Sequence, residues 1–143
     1  MGRVEESIEI NATPERVFEL ISDLDRYSDF IPGVSEVKKL DETKSQWKAE
    51  AFGVPLTWAS EFVKWDENEE ISWKSYDGIG NDGTWRIDNL GEDKCKLTFI
   101  MEYELPKSLG FFGSFLDQGI LVGELEKRVS QGLLKIKTLA EGK

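Results

Sequence analysis

The chain contains no histidine. That absence removes the commonest general base near neutral pH, the usual nucleophilic triads and the commonest metal ligand. Cys95 is the single cysteine, which excludes an intramolecular disulfide and a cysteine metal cluster. Any catalysis falls to carboxylates, Tyr, Lys, Arg or oriented water. No apolar run approaches the thickness of a bilayer, and the first residues lack the layout of a signal peptide. No run of Lys or Arg marks a nucleic-acid patch. With 28 acidic against 18 basic residues the net charge is −10, which repels phosphates and anionic lipid head groups. These absences lead us to expect a cytoplasmic protein without metal or cofactor, whose partners include neither nucleic acid nor a stably inserted membrane.

Aromatic side chains are abundant: eight Phe, five Trp and three Tyr among 143 residues. At that density the chain can bury a real core, and its length suits one domain over residues 1–143. No internal repeat, low-complexity tract or linker divides it.

Apolar alternation around Glu9 predicts a strand from Val4 to Ile10. Asn11-Ala12-Thr13-Pro14-Glu15 then signals a helix start, with Thr13 as N-cap, Pro14 in the first turn and Glu15 at the positive end of the dipole. Val17, Phe18 and Ile21 give this short helix its apolar face. A second short helix spans about Asp25 to Phe30, before Pro32 and Gly33.

From Val34 the period changes to two and stays there for some seventy residues. Trp47, Trp58, Trp73 and Trp85 take the inward parity of four successive strands. Phe62, Phe99, Met101 and Tyr103 share that parity, as do Ser60, Ser75, Asn89 and Cys95, whereas Thr98 takes the outward one. A sheet with one apolar face needs a cover. The pattern after Pro106 supplies it: Phe111, Phe115, Val122, Leu125, Val129, Leu133, Ile136 and Ala140 recur at helical steps. Gly119 falls in a gap of this stripe and leaves space opposite the sheet. Phe112, Leu116 and Ile120 form another stripe, rotated from the first. The segment Asp77 to Gly83 reads as a glycine-rich hairpin loop and a candidate gate; it lacks the helix and Lys-Ser/Thr ending of a phosphate cradle.

Four indoles on one face are not the cheapest core filling, since each buried N–H wants a partner. As walls of a pocket they suit an apolar or planar ligand. The candidate ligand-binding set is therefore Trp47, Trp58, Ser60, Phe62, Trp73, Trp85, Phe99, Met101, Tyr103, Phe115 and Gly119. The competing reading is a fully packed core. No candidate catalytic residue or metal ligand emerges, and no pair of carboxylates shares the inward parity.

The element order, together with Ile8-Glu9-Ile10-Asn11-Ala12-Thr13-Pro14-Glu15-Arg16-Val17-Phe18 and Tyr27-Ser28-Asp29-Phe30-Ile31-Pro32-Gly33-Val34, resembles the polyketide cyclase/dehydrase and lipid-transport family of the START-like (SRPBCC) superfamily. The resemblance spans about Glu6 to Ala140. It implies an α+β helix-grip fold: a seven-stranded curved antiparallel sheet wrapped around a long C-terminal helix, with two short helices between strands 1 and 2. It also implies a cavity between sheet and helix that takes a small hydrophobic molecule such as a lipid, quinone or aromatic polyketide. A cyclase or dehydratase, and an accessory protein acting through its surface, are the alternatives that the resemblance leaves open, in a monomer or weak homodimer.

Overall fold

The alternating segments become seven strands in the computed structural model, which describes residues 2–31, 33–51, 54–78, 80–104 and 118–142. Side chains at 51, 54 and 118–125 fall outside that description, as do Phe115, Phe112, Leu116 and the rest of 105–117. The strands are β1 (Gly2–Ile10), β2 (Val34–Lys39), β3 (Lys44–Ala51), β4 (Val54–Asp66), β5 (Glu70–Gly78), β6 (Asn81–Gly91) and β7 (Lys94–Tyr103). They form one antiparallel sheet in the order β1-β7-β6-β5-β4-β3-β2. Six strands thus run as a meander, and the first strand pairs with the last.

The helical starts follow the capping chemistry of the sequence. Helix α1 (Pro14–Ile21) begins where the Thr13 hydroxyl accepts from Arg16 N at 3.2 Å, with Pro14 opening the first turn. A 3-10 turn (Leu24–Arg26) leads directly into α2 (Tyr27–Phe30). The C-terminal helix α3 (Gln118–Glu141) buries Val129, Leu133 and Ile136 at steps of four and three, with Ala140 continuing the stripe. Each of the three larger side chains contributes roughly 1.5–3 kcal/mol by leaving water. Gly132 makes this docking possible: a Cβ there would lie 1.9 Å from the Phe30 carbonyl oxygen. Polar ties fix the end of α3. Lys137 Nζ donates to Glu9 O at 3.0 Å, and Glu141 accepts from Asn11 N at 2.8 Å.

Bulges bend the sheet into a grip. Register shifts between Ala59 and Ser60 and between Phe62 and Lys64 interrupt the thirteen-residue β4, and the second leaves Val63 unpaired and exposed. That extra residue reverses the alternation. Trp65 consequently pairs with buried Ile71 and stands on the concave side, against the parity expected from Trp58 and Ser60.

Three further expectations change. The Asp77–Gly83 loop is mostly strand: Asp77 and Gly78 continue β5 against β4, while Asn81, Asp82 and Gly83 already pair with β7. Asn89 is exposed: a register shift follows it in β6, and its side chain accepts from Gly91 N at 2.8 Å. Thr98, placed on the outer face, is nonetheless buried, flanked across the ladder by Ser7 and Arg86.

Candidate functional site

The four tryptophans of inward parity all lie on the concave face and are buried, with exposures of 0% for Trp47, 5% for Trp58, 1% for Trp73 and 2% for Trp85. Register explains how they meet. Trp47 is directly opposite Trp58, and their rings stack at 5.6 Å with planes 25° apart. Trp73 also stacks on Trp47, at 5.2 Å with planes 30° apart. Trp73 can lie flat over β6 because Gly83 faces it; a Cβ at Gly83 would fall 2.2 Å from the indole.

From this stack the aromatic surface turns back on itself. Trp73 meets Phe99 at 6.1 Å, Phe99 meets Trp85 at 4.5 Å, Trp85 meets Tyr27 at 6.3 Å, and Tyr27 returns to Trp47 at 5.5 Å. Among the ring contacts of the described residues, Trp58 meets this circuit at Trp47. Tyr27 closes it from α2, a role that the sequence reading did not assign. Its hydroxyl donates to Ile21 O at 2.5 Å. Burial pushes its pKa far above the usual 10.0; the Trp85 N–H, leaning toward the phenol oxygen, opposes the shift, and the charge of Asp23 adds to it. Trp85 Nε1 does not reach hydrogen-bond geometry with any described residue.

Beside the indoles runs a line of hydroxyls. Ser45, Ser60 and Ser75 lie directly opposite one another on β3, β4 and β5. Ser45 Oγ accepts from Trp47 Nε1 at 2.8 Å, and Ser75 Oγ accepts from Asn81 N at 3.0 Å. Asn81 in turn accepts from Trp73 Nε1 at 3.1 Å and directs its amide at the sulfur of Met101. Ser45 shares the parity of Trp47 and was readable from that spacing. Asn81 was hidden by the expectation of a loop.

Met101 and Tyr103 are buried at the β1 side of the same face. Burial raises the pKa of Tyr103, and Glu126 on α3 raises it further. Cys95 lies toward the opposite end of β7, where burial and then the charge of Glu15 push its thiol up. Phe62 pairs across the ladder with Trp73 but makes its ring contact elsewhere. Half-buried, it meets Trp65 edge-on at 5.2 Å, and Trp65 meets Phe18 at 5.9 Å. Phe62 and Trp65 line a cleft of about 550 Å³ together with Leu24, Val37, Asp23, Asp25 and Glu42. Gly119 is in the first turn of α3. Among the described residues, no group of three acidic or cysteine side chains is placed to hold a metal, and no helix is long and apolar enough to cross a membrane.

A family model described as polyketide cyclase / dehydrase and lipid transport matches residues 1–141. Among solved structures, a Deinococcus radiodurans protein superposes with a TM-score of 0.80 at 18% identity, covering 99% of this chain and 98% of that one. The Zhui aromatase/cyclase of a Streptomyces species gives 0.74 at 19% identity, with 98% and 93% covered. In sequence, the persistence and stress-resistance toxin PasT of Escherichia coli is 23% identical over 115 residues, 76% of this chain and 72% of the toxin. At such identities the structural likeness carries the fold and no activity.

Proposed function

Because the chain belongs to the polyketide cyclase/dehydrase and lipid-transport family, we propose that it binds a small hydrophobic molecule, such as a lipid, quinone or aromatic polyketide, between the concave face of the sheet and α3. The observation that carries this reading is the stacked run Trp58, Trp47 and Trp73 on three adjacent strands. Parallel flat rings offer a planar apolar guest a wide surface, and burial of that guest supplies its binding energy. Met101 and Tyr103 extend the surface toward β1, and Ser60 adds a hydroxyl to it. In this reading the first turn of α3, where Gly119 falls, contributes the opposite wall; Phe115 lies outside the described residues.

The test is a titration with a lipid, a quinone and an aromatic polyketide analogue, followed through tryptophan emission. Binding should quench or shift the emission. Gly119→Leu should weaken that response severalfold while the melting temperature changes little. In a packed core the same substitution overpacks and costs about 1–3 kcal/mol. A large fall in melting temperature, with no emission change for any probe in the parent protein, sinks the proposal.

A further inference from the structure

Three stacked indoles and three aligned serines differ in one respect that packing alone does not require. Trp47 donates to Ser45 and Trp73 donates to Asn81, at 2.8 and 3.1 Å. Trp58, in the same stack and 5% exposed, has no partner for its N–H among the described residues. The serine line repeats the pattern. Its outer members, Ser45 and Ser75, are engaged. Ser60, between them and fully buried, has no partner among the described residues. Trp85 Nε1 and Thr98 Oγ1 also lack partners among the described residues, on two different strands, whereas the unmet groups of Trp58 and Ser60 belong to one strand, two residues apart on one face, roughly 7 Å along the chain. Leaving two buried donors unpaired is costly unless something satisfies them.

The chemistry of the pair restricts what that something is. An indole N–H only donates, so its partner must present a lone pair. The buried polar and charged residues described are Ser45, Ser60, Asn81 and Thr98, none of them cationic. A carboxylate or phosphate placed there would be desolvated without a counter-charge, in a chain that already carries a net −10. Resting on the reading of the concave face as a ligand site, we infer that the ligand is a neutral, flat apolar ketone whose carbonyl oxygen accepts from Trp58 Nε1 and the Ser60 hydroxyl. The indole stack then holds the apolar body, and the two donors select for the oxygen.

Fluorene and 9-fluorenone test this, because they share one flat skeleton and differ by a carbonyl. In a site without donors the ketone binds worse, since its oxygen loses water and gains nothing. Calorimetric titration of the intact protein should instead show fluorenone binding at least about tenfold tighter than fluorene. That preference should collapse toward unity in Trp58→Phe and fall in Ser60→Ala, whatever each variant does to the affinity for fluorene itself. In proton–nitrogen spectra of the unaltered protein, the Trp58 indole N–H should move downfield with fluorenone and not with fluorene, which decides the matter even if a variant fails to fold. Equal affinity for the two probes overturns the inference and leaves hydrophobic binding intact. A preference unchanged in both variants, or a Trp58 resonance indifferent to the carbonyl, also overturns it. Binding of neither probe removes the inference together with the ligand site.

Discussion

The two ends of the concave face are built from the same residue types and solve different problems. At one end Tyr27, Trp47, Trp73, Phe99 and Trp85 form a closed circuit of ring contacts, sealed from α2. Two of its three indoles have hydrogen-bond partners on the sheet, and its phenol bonds to Ile21 O. At the other end Trp58 meets the circuit at Trp47, and Trp58 and Ser60 leave buried polar atoms unmet among the described residues. Where rings surround one another, the face is core, even though Trp85 inside the circuit lacks a partner among the described residues. Where one ring lies outside the circuit and its idle donor shares a strand with an unmet hydroxyl, the face is the proposed binding surface.

The largest expected effect tests the closed end. Trp47→Ala removes a ring contacted by Tyr27, Trp58 and Trp73 and strands the Ser45 hydroxyl, so it should cost about 3–5 kcal/mol in urea unfolding. Trp58→Phe removes a donor that has no partner to lose and should stay within about 1.5 kcal/mol. Equal losses for the two would erase the distinction between the ends.

Gly83 sharpens it next. An alanine at Gly83 puts its Cβ into the Trp73 ring, and the ring is held in place by Trp47 and Asn81. The expected cost is about 1–3 kcal/mol, measured by thermal unfolding, with near-ultraviolet dichroism changing as Trp73 tilts. An unchanged dichroism spectrum would show that the stack is loose rather than packed.

How far the sequence reveals these ends depends on whether the chain keeps its period. Parity placed Trp47, Trp58, Trp73 and Trp85 on the inner face, and Thr13 with Pro14 marked the start of α1, because both signals are local. Trp65 could not be placed in the same way. Its side depends on the extra residue Val63, a bulge set by pairing with β5 rather than by any motif in β4. Asn81 and Gly83 look like loop residues because glycine and polar residues cluster there, yet β7 recruits them into a ladder. Tyr27 sits in a motif that reads as a helix, and only the fold shows that its ring closes the aromatic circuit.

Tyr27 gives a pH-dependent test of the closed end. Its folded pKa lies above the unfolded value of 10.0, chiefly through burial, so the folded state holds the proton more tightly. The associated stability is complete below pH 10 and is lost as the pH rises toward the folded pKa. Tyr103 shifts in the same direction, by burial and then Glu126. Tyr27→Phe should cost about 1–2 kcal/mol at neutral pH through the lost bond to Ile21 O, and should flatten the alkaline fall in stability. An alkaline profile identical to that of the parent would place the titrating group elsewhere.

The smallest effect belongs to the ring that the bulge delivers to the concave side. Trp65 is 47% exposed and makes two edge contacts, with Phe62 and Phe18. Trp65 and Phe62 line the cleft beside Leu24 and Val37. About half of its surface stays in water in the folded state, so Trp65→Ala forfeits only part of the 1.5–3 kcal/mol typical of a fully buried large side chain, and about 1 kcal/mol is expected. Affinity for fluorenone should be unaffected, because the ring contacts of Trp65 are with Phe62 and Phe18 and not with Trp58. The informative measurement is the pair: a small fall in melting temperature with an unchanged dissociation constant. If the constant rises severalfold, the cleft and the stack bind as one surface, and the ligand is longer than the concave indoles alone can hold. If stability falls by as much as in Trp47→Ala, Trp65 belongs to the closed core despite its exposure, and the boundary between the two ends moves to include β4 beyond Val63.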